Sequence, residues 1–312
     1  MELKQLRYFV GVSEAGSLLK ASGRLHIAQP ALGQHMAALE SELGARLFER
    51  SSRGVTLTDA GKVFLAHARV VLADAERAKQ AVRESAAEPH GDVSIGLPTT
   101  IALAATLPIL RACRVKLPKI RLKLTEAYSG FLREWLHSGR LDIALLYGGA
   151  ADIGLAKHAL VDDQLVFVTA HGNTHIPSKL KLHDLVKWPL VLPGQEHGLR
   201  RMIDEACAPH QLQLDVVAEI ESLGSVKRAA EAGLGSTILP LGSVAEEVDA
   251  GRLRIAEIDS PAMFRRVVCA TNVTRPQPMA VAAVVELVVD VLREMANSGA
   301  WPVRWVGDDP QP

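Results

Sequence analysis

Cysteine is scarce: Cys113, Cys207 and Cys269 are the only three in 312 residues, far apart and without a C-x-x-C pair. That excludes a disulfide framework and fits a reduced compartment. Isolated thiols of this kind are read as buried packing residues, with a redox pair as the alternative. No apolar run reaches membrane-spanning length and no signal-peptide pattern opens the chain, so a cytoplasmic protein with no membrane attachment is expected. Catalytic signatures are missing too: there is no Walker phosphate loop, no H-E-x-x-H and no G-x-S-x-G elbow, and Gly233-Leu234-Gly235 is too short for a nucleotide fingerprint. Neither an enzyme nor a cofactor is expected. His171 and His175 lie four apart, but Gly172 would break the helix that aligns them and no acidic cluster completes a shell, so no metal site is assigned. Net charge is zero, and bulk electrostatics advertises no polyanionic partner.

What is present begins with 48% apolar residues, enough for more than one core, and a length of roughly two domains. Ser17 is a candidate DNA contact and a candidate N-cap for a helix of about two turns carrying Leu18, Ala21 and Leu25 on one face. After a break at His26-Ile27-Ala28, Gln29-Pro30 opens a second helix, where proline suits the first turn because its missing N–H had no partner there. Leu32, Met36, Leu39 and Leu43 form its inner stripe. The opposite edge, Gln29, Pro30, Ala31, Gly33 and Gln34, therefore faces outward. In a helix-turn-helix that edge meets the major groove: glutamine pairs two-pronged with adenine, and proline and alanine touch a thymine methyl. Gly44 ends the helix. Leu47-Phe48 then anchors a wing whose tip, Arg50-Ser51-Ser52-Arg53-Gly54, carries two cations, Arg53 being the candidate for minor-groove insertion. Residues 1–58 hold seven cations against five carboxylates, a small excess, so binding to double-stranded DNA rests on where a few groups point.

From Gly61 to about Ser85 a helical pattern runs unbroken, with Phe64, Ala68, Val71, Ala75, Ala78 and Val82 at alternating spacings of four and three. This is a heptad seam, or else one amphipathic helix packed on its own domain. Glu88-Pro89-His90-Gly91 then breaks the helix. Beyond it strands and helices alternate: strands at 93–97, 120–124, 143–147, 165–168, 190–192, 216–220, 236–239 and 267–270, and helices near 100–113, 129–138, 197–208, 222–232, 243–250 and 278–295. Two α/β lobes result. Asp162-Asp163 is read as a solvated turn. Thr99, Thr100, Ser129, Gly130 and Ser222 each follow a strand and begin a helix, where free N–H groups attract an anion, although each can equally be a simple cap. His197 and Arg200 add charge beside them, and Tyr147 either walls a pocket or caps the core. The tail from Gly299 carries Trp301 and Trp305 ahead of Asp308-Asp309-Pro310; it docks on a neighbour or stays loose.

From Leu3 to Leu72 the chain resembles the amino-terminal domain of the LysR-type transcriptional regulators. The likeness is carried by Leu6-Arg7-Tyr8-Phe9, Ala28-Gln29-Pro30-Ala31-Leu32, Leu39-Glu40, Leu43-Gly44, Leu47-Phe48-Glu49-Arg50 and Arg53-Gly54-Val55-Thr56-Leu57-Thr58-Asp59-Ala60-Gly61. Leu25-His26-Ile27-Ala28-Gln29-Pro30, Thr58-Asp59-Ala60-Gly61-Lys62 and Glu219-Ile220-Glu221-Ser222 resemble the nitrogen-assimilation-control branch of that family. Ser22, Gly23 and Gly33 depart from the family pattern. The resemblance implies a winged helix-turn-helix over 1–58, a linker and dimerisation helix with hinge over 59–90, a two-lobed periplasmic-binding-protein-like effector domain over 91–298, and a tail over 299–312. It implies an antiparallel linker-helix dimer, a tetramer built as a dimer of dimers, an interrupted inverted repeat in DNA, contact with RNA polymerase, and a small, carboxylate-like effector. In the nitrogen-assimilation branch it allows regulation without any effector.

Overall fold

The computed structural model describes residues 1–51, 54–83, 88–148, 152–261, 263–275 and 277–307, the side chains of residues 50, 51, 77 and 79–83 excepted. Two compact units result, one of residues 1–88 with 135–140 and one of residues 89–134 with 141–312.

In the first unit, α1 (Leu3–Ala15), α2 (Leu18–Leu25) and α3 (Gln29–Leu43) bring their apolar stripes together. Leu6, Phe9 and Val12 from α1, Ala21 from α2 and Leu32, Met36 and Leu39 from α3 are all buried. Leu43, expected in that stripe, is exposed at the helix end. β1 (Phe48–Ser51) and β2 (Gly54–Leu57) pair antiparallel as the wing. Gly54 has φ 131° and passes so near the α1–α2 turn that a Cβ there would lie 2.6 Å from the Gly16 carbonyl oxygen. The Val55 N–H donates to that same oxygen at 2.9 Å.

α4 (Asp59–Arg83) runs antiparallel along α1, joined to it by the ion pairs Arg7–Glu76 and Arg69–Glu14. Two residues of the expected seam also pack within their own unit. Ala68 is buried in the core of its own unit, and the Phe64 ring meets Phe9 edge-on at 4.9 Å, because α1 covers that face of α4. Val71 and Ala78 are exposed and Ala75 is half-buried; the Val82 side chain lies outside the described residues.

The second unit holds two lobes. One contains β3 (Gly91–Leu97), α5 (Thr99–Lys116), β4 (Ile120–Glu126), the start of α6 (Ser129–His137) and β5 (Ile143–Tyr147). β3 lies between β4 and β5, parallel to both. β6 (Leu155–Ala170) then runs for 16 residues, and β7 (Lys179–Lys181), β8 (Leu190–Leu192), α7 (Gly198–Cys207), β9 (Val216–Glu219), α8 (Leu223–Glu231), β10 (Thr237–Pro240), α9 (Leu241–Asp249) and β11 (Leu253–Asp259) build the second lobe. β12 (Phe264–Asn272), α10 (Met279–Ser298) and β13 (Arg304–Trp305) return to the first. Residues 155–164 of β6 pair with β12, whereas residues 165–170 pair with β10 and β11. One strand thus belongs to both lobes. Each lobe has its own core, around Ile95, Ile143 and Val284 in the first and Phe167, Ile203 and Ile238 in the second.

The reading of Asp162-Asp163 as a solvated turn is overturned. Both lie within β6 and are buried, because β12 lays Arg265 opposite Asp163 and Arg266 opposite Asp162. The tail also folds onto its own chain: Trp301 is buried in the first lobe's core, and β13 pairs with Val161 and Asp162. Residues 308–312 lie outside the described set. All three cysteines are buried and free, and burial raises each thiol pKa, that of Cys269 to about 12, which suppresses the nucleophilic thiolate. Among the described residues no group of three His, Cys, Asp or Glu is placed to hold a metal. None of the described helices is long and apolar enough to cross a membrane.

Candidate functional site

Two arrangements carry chemistry. The first is the leading edge of α3. Its N-cap is Ala28, which supplies no side-chain cap, so the first-turn N–H groups and the positive end of the helix dipole stay open to solvent. Gln29, Pro30 and Gln34 are exposed and Ala31 and Gly33 half-buried, opposite the buried Leu32, Met36 and Leu39. Ser17 is committed locally, accepting from the Lys20 N–H at 3.4 Å to cap α2. The Arg50 side chain and all of Arg53 lie outside the described residues. Lys20 and Arg24 on α2 are also exposed, and sequence reasoning had not singled them out, because a solvated cation and a phosphate contact look alike in a helical pattern.

The second arrangement is the crossover between the lobes. Successive residues of β12 point to opposite faces. On one face Arg266 binds Asp162 through Nε at 2.7 Å, Arg304 from β13 binds the same carboxylate at 2.5 Å, and these residues with Pro261 and Phe264 line a recess of about 750 Å³. Burial alone would raise the Asp162 pKa, but the two guanidinium groups hold it below the ordinary carboxylate range. On the other face Arg265, 6% exposed, donates to Asp163, 1% exposed, at 2.6 Å, to the Tyr147 hydroxyl at 3.0 Å and to the Thr100 hydroxyl at 3.4 Å. Thr100 and Tyr147 share a hydrogen bond of 2.5 Å, and the Arg265 guanidinium stacks 3.8 Å above the Tyr147 ring. Burial pushes Tyr147 up to about 12 and lifts Asp163 above its usual range against the opposing pull of Arg265. Asp163 Oδ1 and Arg265 Nε are buried and make no hydrogen bond among the described residues.

Between the lobes the exposed Tyr128 hydroxyl, from the first, donates to Glu221 Oε2 of the second at 3.1 Å. Glu221 Oε1 accepts from the Gly194 N–H at 3.0 Å. The Tyr128 ring meets His197 edge-on at 5.0 Å. Two expected sources of positive charge have partners within the second lobe. His197 caps α7, its Nδ1 accepting from the Leu199 N–H, and burial lowers its pKa and favours the neutral ring. Arg200 is buried and spends its guanidinium on Asp204, Glu219 and the Pro193 carbonyl. Ser222 caps α8, accepting from Ser225 at 3.5 Å. Thr99 donates to Glu126 at 2.7 Å, while Ser129 and Gly130 form the start of α6. The structure thus gathers Thr100 and Tyr147 around an ion pair the sequence did not reveal. Asp163 and Arg265 are 102 residues apart, and nothing local marks them as partners.

A helix pair, a wing and a two-lobed α/β unit built on a shared strand define the architecture of a DNA-binding transcription regulator. Residues 3–62 match the family described as "Bacterial regulatory helix-turn-helix protein, lysR family", and residues 86–293 match the "LysR substrate binding domain". The chain belongs to the LysR family of DNA-binding transcriptional regulators. It is 36% identical over 265 residues to the nitrogen assimilation regulatory protein Nac of Klebsiella aerogenes, covering 84% of this chain and 86% of that one, and equally so to Nac of Escherichia coli strain K12. That similarity supports the nitrogen-assimilation-control-like branch. Full-length CbnR, solved in complex with its target DNA, superposes with a TM-score of 0.70 at 26% identity over 93% of this chain and 100% of that one. A full-length OxyR variant from Pseudomonas aeruginosa shares the fold, with a TM-score of 0.75 at 24% identity over 100% and 99% of the two chains.

Proposed function

We propose that this regulator binds an interrupted inverted repeat beside a promoter as a dimer, paired into a tetramer, and controls the access of RNA polymerase. It acts in the cytoplasm and carries no catalytic activity of its own. Gln29, Pro30, Ala31 and Gln34 read bases in the major groove, Arg50 and Arg53 on the wing hold the backbone and minor groove, and Gly33 leaves one position silent. The observation that carries this reading is the open, uncapped first turn of α3, with its polar edge in solvent and its apolar stripe buried. Subunit pairing runs along the part of α4 that α1 leaves uncovered, through Val71, Ala75 and Ala78. Control enters between the lobes, where Thr100 and Tyr147 accept from Arg265, with Thr99, Ser129 and Gly130 at the starts of the neighbouring helices. Arg265 Nε, buried and without a partner among the described residues, is the donor we assign to a small carboxylate, while His197, Arg200 and Ser222, like Thr99, are committed within their own lobes. Effector-free regulation is the second reading, favoured by Asp163 and Glu221, which already sit on the cleft's donors.

A gel-shift assay with the DNA upstream of its own gene tests the reading. Gln34→Ala weakens specific binding by about 1 to 3 kcal/mol and leaves non-specific binding nearly unchanged; equal loss on both DNAs removes Gln34 from the reading set. Val71→Glu, placed in the exposed face of α4, yields monomers in sedimentation. An unchanged mass moves the subunit contact elsewhere.

A further inference from the structure

Glu221 stands immediately before α8, whose own N-cap is Ser222, and it is not needed to cap that helix. Its carboxylate reaches across the mouth of the cleft instead. One oxygen accepts from the Gly194 N–H within the second lobe, and the other accepts from the Tyr128 hydroxyl of the first. Gly194 permits the approach: a Cβ at that position would lie 2.7 Å from Glu221 Oε1. The His197 ring packs edge-on against Tyr128, the residue that donates to Glu221. A backbone N–H and a phenol hydroxyl are neutral donors of the kind with which proteins hold a small carboxylate. In this chain the carboxylate is covalently attached.

We propose that Glu221 is a built-in ligand of the interlobe cleft, its carboxylate filling the position of a small anion and tying the two lobes together without one. The proposal rests on the reading of the cleft as the point of control, and it adds the chemical reason why a free carboxylate finds the mouth of the cleft occupied. Removal of the side chain, by contrast, opens a site for a free carboxylate of the same charge and size.

The test is chemical rescue on the full-length chain, with sodium acetate as the probe and sodium chloride at equal ionic strength as the control. Wild type shows no acetate-specific change in its thermal midpoint. Glu221→Ala lowers the midpoint by about 2 to 4 °C, the scale of one charge-assisted hydrogen bond in a chain of this size. Acetate, and not chloride, restores it in a saturable way, and Tyr128→Phe added to Glu221→Ala weakens that recovery. Gly194→Ala, which pushes the carboxylate off the backbone N–H, lowers the midpoint without acetate rescue, because the attached carboxylate is still present; it also serves should Glu221→Ala fail to fold. Acetate stabilising wild type as strongly as Glu221→Ala overturns the proposal, as does a Glu221→Ala protein with an unchanged midpoint and no acetate response. Operator bending is measured on the same samples. Rescue with unaltered bending sustains the latch and removes the regulatory role assigned to the cleft.

Discussion

At the leading end of α3, Gln29, Pro30 and Gln34 lie in solvent beside an uncapped helix terminus, while at the lobe crossover Asp163 and Arg265 are both more than nine-tenths buried against Tyr147 and Thr100. The two regions handle polar groups in opposite ways for a physical reason. A surface with the base-reading role proposed above must keep donors and acceptors hydrated until the duplex replaces the water, so its polarity stays outside. A hinge inside an apolar unit has no water to fall back on, and an unpaired charge there is strongly destabilising. Its charges must therefore find one another across the strand pair.

The hinge offers the largest effect with which to break this contrast. Asp163→Ala strands the Arg265 guanidinium and is expected to destabilise the chain by about 3 to 5 kcal/mol in urea unfolding. Asp163→Leu combined with Arg265→Met recovers most of that loss. A single-variant loss below about 1 kcal/mol would mean that the pair is hydrated and that the two regions are not opposites. At the reading edge the expected change is smaller and of opposite sign. Gly33 is helical, and an added Cβ would meet nothing within 4 Å, so Gly33→Ala should stabilise by about 1 kcal/mol. Loss of stability there would show that the edge is packed. The smallest effect concerns His197. Its folded pKa lies below the ordinary 6.5 because burial disfavours the cation. Between the folded and unfolded values the unfolded chain binds more protons, so this residue subtracts stability as pH falls below about 6.5. His197→Asn keeps an acceptor for the Leu199 N–H without a titrating ring. The drop in thermal midpoint between about pH 7.5 and about pH 5.5 should shrink in that variant, and an equal drop would place the acid sensitivity elsewhere.

Legibility in the sequence follows the same division. The α3 helix runs over Gln29–Leu43, where Pro30 and the four-three spacing of Leu32, Met36 and Leu39 placed it, since helical periodicity is a local property. The first half of β6 was invisible: Asp162-Asp163 in a strand contradicts every local preference, and only Arg265, Arg266 and Arg304, far onward in the chain, make it tolerable. Phe64 and Ala68 kept a perfect heptad spacing yet serve the α1 contact, because spacing fixes a face and not its partner. The serine and threonine caps of the cleft were found by type, and their committed partners, Glu126 for Thr99 and the backbone of Ser225 for Ser222, were not.

The short approach between Gly54 and Gly16 bears on how an operator is engaged. With Val55 N–H on the Gly16 carbonyl and no room there for even a methyl group, the hairpin is riveted to the corner that precedes the helix pair. Wing and helices then present themselves to the duplex as one stiff block. For the inverted repeat proposed above, inserted base pairs that push the half-sites apart have to be accommodated by bending of the duplex or by give in the chain beyond Leu57, not by the block itself reshaping.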